Sequence, residues 1–505
     1  MKPIGVVGLA LALGLGSAGP VWAQVAEQDP SPGAVERFSV EEAVARALRE
    51  SQEVRLARSQ VDRAAAQVKS ARSAALPQIN ASLSYTRTFA SPFTSGASFE
   101  LPDSLRFEPD PTAPLDERVK YLEDRVPIAG LAGLGQLFGN LPFAQENMYV
   151  AGITGTQLLY SGGRVGAALE IAGHFEEAAR LGLVEQMADV EQQVRTAYYR
   201  ALLAREMEQI AQAALEQAEA FLEQERLRQR AGLASELDVM RAEVAAENLR
   251  PQLVQARNAA DLAELDLKRL LNVPLDRRLE LTTSLAEPTD DAVSAPGVAE
   301  RAVLQRRAAL EAAERQIAIR EQQLKIAKRS YLPTVSVHMS YGRQMYPAEI
   351  FDFSGDPRTD WNAGVSVQLP IFDGFKRTAD VEEARALVEE ARLQHEQLKE
   401  AVELQYEQAL RERERARAAI EARRRTVDQA ERVYSLTELQ YEKGLATQLE
   451  VSEARLALLQ ARTNLAQALT DFHIADAALI RALGGSGAIV GGRASAESGA
   501  PAGGK

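Results

Sequence analysis

Leu76-Pro77-Gln78-Ile79-Asn80-Ala81-Ser82-Leu83-Ser84-Tyr85 returns 256 residues later as Leu332-Pro333-Thr334-Val335-Ser336-Val337-His338-Met339-Ser340-Tyr341. In both copies the proline ends a helical pattern, because it has no N–H to donate and biases its predecessor away from helix. Strict alternation follows. Ile79, Ala81, Leu83 and Tyr85 share one face of a strand, and Asn80, Ser82 and Ser84 share the other. His338 falls on the polar face of the second copy.

Further along, Ala151-Gly152-Ile153-Thr154 and Tyr160-Ser161-Gly162-Gly163 match Ala363-Gly364-Val365-Ser366 and Phe372-Asp373-Gly374-Phe375, now shifted by 212. The same shift carries Gly232-Leu233-Ala234-Ser235-Glu236-Leu237-Asp238-Val239 onto Gly444-Leu445-Ala446-Thr447-Gln448-Leu449-Glu450-Val451. The halves therefore align without gaps from the second strand onward, and 44 extra residues lie between Tyr85 and Ala151. Self-similarity in one fixed order means the chain is an internal duplication.

Each half reads helix, strand, strand, helix, helix. The opening helical patterns run from about Val40 to Ala75 and from Val298 to Tyr331. After the second strand a Gly-rich turn leads into a proline-free helical stretch, Arg164 to Arg230 or Lys376 to Gly444. At 1.5 Å per residue, roughly 65 residues reach on the order of 100 Å, which implies coiled-coil packing. The chain reverses at Gly232-Leu233 and at Gly444-Leu445, and returns to Asn272-Val273-Pro274 and to Gly484. Pro251, opposite Thr463, is expected to kink the first returning helix.

The expected boundaries are a signal peptide over 1–23, a linker over 24–38, a first repeat over 39–274, an inter-repeat linker over 275–297, a second repeat over 298–484 and a disordered tail over 485–505. Strands are expected at about 77–88, 148–158, 333–344 and 360–370, with an external loop over about 89–147 rich in proline and acidic residues. Lys2, the apolar run from Ile4 to Leu15 and the small residues before Ala23 carry the signal-peptide reading.

No later segment is apolar enough for a spanning helix, so any membrane crossing must use strands. Their length and the aromatics Tyr85, Tyr149, Tyr341 and Trp361 at their ends suit a barrel wall, against the alternative of a half-buried sheet in a soluble scaffold. Four strands cannot close a membrane barrel, so several chains must share one. The net charge of −13 argues against nucleic acid. There is no cysteine, and the four histidines, His174, His338, His395 and His473, lack metal-ligand spacing. No catalytic constellation stands out, so neither enzyme activity nor a cofactor is expected.

The Leu-Pro pair after the first helix, Phe372-Asp373-Gly374, and Tyr441-x-x-Gly444-Leu445-x-x-x-Leu449-Glu450-Val451 make the chain resemble the TolC-type outer-membrane efflux proteins from about Ser39 to Gly484. The resemblance implies a mainly α protein with a small membrane β part, a homotrimer with four strands per chain in a shared twelve-stranded barrel, and a long coiled-coil α-barrel in the periplasm. It implies an exit duct for efflux or type I secretion, fed by an inner-membrane pump through a periplasmic adaptor, with outer-membrane lipid around the strands. Gly232, Leu233, Gly444 and Leu445 fall on the tips that meet the adaptor. Glu450 and Glu453 fall where the family carries the acidic residues of the periplasmic constriction; Asp238 matches Glu450 in the other repeat, and Tyr441 and Arg241 are its candidate partners. Ala446 stands where some members have an arginine, which puts an ion-pair lock at that position in doubt.

Overall fold

Over the described residues (35–89, 110–124, 147–285, 304–347, 349–352 and 356–486), the computed structural model resolves the duplication into matched elements. The short strand β1 (Glu36–Phe38) precedes α1 (Val40–Glu50), α2 (Gln52–Ser73), β2 (Gln78–Arg87), β3 (Asn147–Tyr160), α3 (Arg164–Arg230) and α4 (Glu236–Leu271). After β4 (Leu279–Leu281) come α5 (Ala308–Arg329), β5 (Thr334–Met345), β6 (Arg358–Gln368), α6 (Lys376–Glu442) and α7 (Gln448–Ala482). The signal peptide, most of the external loop, part of the inter-repeat linker and the tail beyond Ser486 lie outside the described residues.

The four long strands form one antiparallel sheet in the order β2-β3-β5-β6. Its register keeps the alternation in step over the middle of the sheet, while Arg343 falls opposite Ala151 and, beside a register shift at Leu158/Tyr160, Leu158 falls opposite Ser336. Ala81, Ile153, Tyr341 and Trp361 make one row, and Asn80, Thr154, Ser340 and Asn362 the next. A slip of one residue would mix the two faces. In the single chain the apolar face is bare: Leu83 is 80% exposed and Trp361 72%. Strands of 10, 14, 12 and 11 residues reach or exceed the roughly nine to eleven residues that a tilted membrane strand needs. No helix among the described residues is long and apolar enough to cross a membrane.

α3 and α6 are each 67 residues long, about 100 Å of continuous helix. Each runs antiparallel to a shorter return helix, α4 or α7. Exposed ion pairs recur at the same place on both hairpins, Arg250–Glu219 at 3.2 Å and Arg462–Glu431 at 2.8 Å. Such pairs stabilise little and chiefly set register. α4 runs unbroken through Pro251.

The first helical pattern differs from the expected single helix. Ser51 adopts an extended backbone (φ −61°, ψ 145°), ends α1 and caps α2 through its side chain. Arg307, 256 residues on, has nearly the same backbone (φ −61°, ψ 133°) at the start of α5. Its side chain supplies no cap. The α5 N-terminus is served instead by Glu185 of α3, which accepts from Ala309 N at 2.9 Å and pairs with Arg307 at 3.3 Å.

The best-buried core surrounds the middle of α3, where Val194, Tyr198, Leu267 and Leu271 are each 0% exposed. Here β1 pairs in parallel with β4 and forms a strap across the helices. The Tyr198 hydroxyl donates to Phe38 O at 2.8 Å and accepts from Thr283 N at 3.1 Å, fastening both strands to α3. On the second unit Arg481 pairs with Glu185 at 2.7 Å and with Asp189. Ser486 donates to Glu191 through N (3.0 Å) and Oγ (2.7 Å).

Tyr198→Phe keeps the ring but leaves Phe38 O and Thr283 N without this partner. The expected loss is about 1–3 kcal/mol, read as a lower unfolding midpoint in detergent, with Tyr434→Phe as the partly exposed control.

Candidate functional site: the paired helix tips

Both hairpins turn on the same chemistry. Gly232 and Gly444 take left-handed backbone (φ 74° and 76°), and no neighbour lies within 4 Å of a side chain placed there. Glycine is needed for its dihedral rather than for space. Leu233 N bonds Arg228 O and Leu445 N bonds Gln440 O, both at 2.8 Å, closing the preceding helix in a Schellman motif. That leaves the two leucines projecting, 71% and 79% exposed.

The next helix starts with a capping box. Asp238 accepts from Ser235 N at 3.0 Å and Oγ at 2.7 Å. Glu450 accepts from Thr447 N at 2.6 Å and Oγ1 at 3.0 Å. Two of the expected gate acids thus hold their own turns. The Ser235 hydroxyl and N–H hold the Asp238 carboxyl below its ordinary range, with smaller help from Arg241 and Arg228. Thr447 does the same for Glu450, through its N–H first. Arg241 and Glu453 are exposed one turn further in, at equivalent positions of the two repeats.

Tyr441 does not bond Asp238. It is buried between the hairpins and donates to Glu225 Oε1 at 2.8 Å, with the Arg228 guanidinium 4.6 Å from its ring centre. Arg228 also lies 3.8 Å from Glu225, whose side chain is fully buried. Burial, then the Glu225 hydrogen bond and charge, push the Tyr441 hydroxyl far above its ordinary value, so it remains a proton donor. Phe221, Leu222, Ala246 and Val451 enclose the pair. A second link crosses the tips where Gln448 Nε2 donates to Asp238 O at 2.8 Å. Glu225, Arg228 and Gln448 were not singled out from the sequence. The one trace of them is the spacing of Phe221, Glu225 and Arg228 along one helix face.

Tyr441→Phe deprives a buried carboxylate of its donor and is expected to loosen the tips by about 1.5–3 kcal/mol, seen as faster hydrogen exchange at the end of α6. The Glu450 cap has a pH signature. Because the folded value lies below the ordinary 4.5, the cap contributes fully above that pH and is lost as pH falls through the lower folded value. Exchange at the start of α7 should therefore rise on acidification below 4.5, and Thr447→Val should shift that rise to higher pH.

The chain is 29% identical to Protein CyaE of Bordetella pertussis over 317 residues, 62% of this chain and 66% of that relative, just under two thirds of its length. It is 25% identical over 304 residues to the pyoverdine export outer membrane protein OpmQ of Pseudomonas aeruginosa, covering 58% of this chain and 60% of OpmQ. Its fold is shared with the outer membrane protein VceC of Vibrio cholerae (TM-score 0.64, 20% identity, 88% of this chain and 96% of that one). The MtrE outer membrane channel of Neisseria gonorrhoeae, in its open state, is similar too (TM-score 0.67, 19% identity, 88% and 89% covered). Residues 137–273 and 301–485, more than half of the chain, match one family over the later part of the first repeat and nearly all of the second. The chain belongs to the outer membrane efflux protein family.

Proposed function

We propose that this chain is one protomer of a homotrimeric exit duct, which carries substrate from an inner-membrane pump and a periplasmic adaptor across the periplasm and the outer membrane. The observation that carries the reading is the four-stranded sheet. Its outer strands, β2 and β6, pair on one side only, and its apolar face is bare. Lipid cannot satisfy open backbone edges, so copies must supply the missing strands. A soluble scaffold would have no use for ten-residue strands with a dry face.

The helix tips are the periplasmic end of that duct. Leu233 and Leu445 project from Gly232 and Gly444 as apolar contacts for the adaptor. The constriction draws on Asp238, Glu450 and Glu453 with Arg241, so each chain brings three carboxylates and one guanidinium to the ring. The net field is negative and favours cations. Tyr441, held by Glu225, links the two hairpins and opposes their parting.

Heat-resistant trimers extracted from outer membranes only by detergent are expected, and a soluble periplasmic monomer would refute the duct. Glu453 tests the ring better than Glu450, since Glu450→Gln would also break a helix cap. In reconstituted bilayers Glu453→Gln should lower the cation-to-anion permeability ratio about twofold or more, while an unchanged ratio removes Glu453 from the constriction.

A further inference from the structure

The duplication supplies a template for the seam between copies. Within the chain, the first unit meets the second where α3 and β3 pack against α5 and β5. Shifting α3 and β3 by 212 gives α6 and β6, and shifting α5 and β5 back by 256 gives α2 and β2. Those are the two open flanks of the protomer. The internal seam therefore states which residues meet when a second copy closes on the first.

At the junction of strand and helix the internal seam is tight. Gly163 has left-handed backbone (φ 77°), and its carbonyl accepts from Arg329 Nη1 at 2.9 Å. A Cβ on Gly163 would lie 2.7 Å from that nitrogen, and one on Gly162 would lie 2.8 Å from Leu332 Cβ. The open flank has the same backbone with a different cast of side chains. Phe375 occupies the Gly163 position at φ 67°, and Gly374 the Gly162 position at φ 66°, with nothing within 4 Å of it. A phenylalanine in this conformation carries a cost that glycine avoids. Its ring is nevertheless 73% exposed, touching Phe372 edge-on at 5.6 Å between centroids. On the opposite flank, the position of Arg329 is held by Ser73 and that of Leu332 by Leu76, which is 59% exposed. Large meets small in both seams: the sides are exchanged between Arg329–Gly163 and Ser73–Phe375, and kept between Leu332–Gly162 and Leu76–Gly374.

We propose that Phe375 is the key that sets register between copies: it enters the space beside Ser73 of the next copy, where Arg329 lies over Gly163 within the chain. Leu76 of that copy then covers Gly374. This rests on the trimer proposed above and adds its contact residues. The same shifts fix the strand register, with Val367 opposite Leu83 of the next copy and Val365 opposite Tyr85. Leu369 then meets Ala81 on the same apolar face, while Ala363 meets Arg87 near the strand end. Charge agrees as well. α2 carries five basic and two acidic side chains, and the first half of α6 is rich in glutamate. The internal Glu177–Arg315 pair (3.1 Å) maps to Glu389 and Ser59, so the complementarity lies in the overall charge of the two helices and not in that pair.

The test transplants the internal pair. Phe375→Gly relieves backbone strain in the protomer but should speed dissociation of the detergent-solubilised trimer about tenfold or more. Ser73→Arg alone should also weaken the trimer by clashing with Phe375. The double variant Ser73→Arg/Phe375→Gly recreates the Arg329–Gly163 pair between copies and should return dissociation to within about threefold of wild type. The chain has no cysteine, so Leu83→Cys with Val367→Cys should give covalent trimers on oxidation, and Tyr85→Cys with Val367→Cys should not. If Phe375→Gly dissociates like wild type, or the double variant is no better than Phe375→Gly, the seam is wrong while the duct stands. Weaker membrane retention of Phe375→Gly with unchanged dissociation would make the ring a lipid contact and also overturn the seam. Failure of the wild-type chain to form trimers would overturn the duct itself.

Discussion

Everything in this protein follows from the need to satisfy backbone hydrogen bonds where there is no water. Four strands can alternate apolar and polar residues perfectly and still leave two rows of N–H and C=O groups unpaired. β2 and β6 are those rows. The bare edges are defects in one chain and complements between chains, and the bare apolar face is matched by lipid. Duplication offers an economical route to such a surface. The backbone geometry that joins one half to the other is already encoded, and the side chains along it can diverge to join one copy to the next.

The helical part answers a different constraint, that of reach. Helices of about 100 Å can form only where nothing interrupts the ladder, and α3 and α6 are free of proline throughout. At their far ends the chain must turn within a few residues while still satisfying the terminal backbone groups. Schellman closures on one side and capping boxes on the other do this without help from neighbours. The acidic residues of those boxes are therefore committed twice. They hold the turn, and they contribute charge to the tip.

The duplication, the strands, the strand faces and the long hairpins were legible in the sequence because each rests on short-range signals. Leu76-Pro77 stops a helix, the period of two assigns faces, and Gly232 and Gly444 mark turns. The break at Ser51 was legible in principle, since serine is a good cap, but its partner Arg307 gave no sign. There the capping oxygen comes from Glu185, more than a hundred residues away. Tyr441 was singled out by resemblance, yet its partner Glu225 lies in a stretch crowded with glutamates, and only packing distinguishes one carboxylate from the rest. The exposed phenylalanine at a left-handed position was visible as a departure from Gly163, but its meaning required the geometry around Arg329.

The strap of β1 and β4 grips α3 through Tyr198, close to the midpoint of that helix. A long rod held only at its membrane end would swing as a single lever, and a tilt of one degree would carry its tip about 1.7 Å. Held at the waist, the free arm is about 50 Å and the same tilt moves the tip only about half as far. Parting the tips then demands bending below the waist rather than rotation about the barrel. The strap thus shortens the lever that connects the strands to the far end.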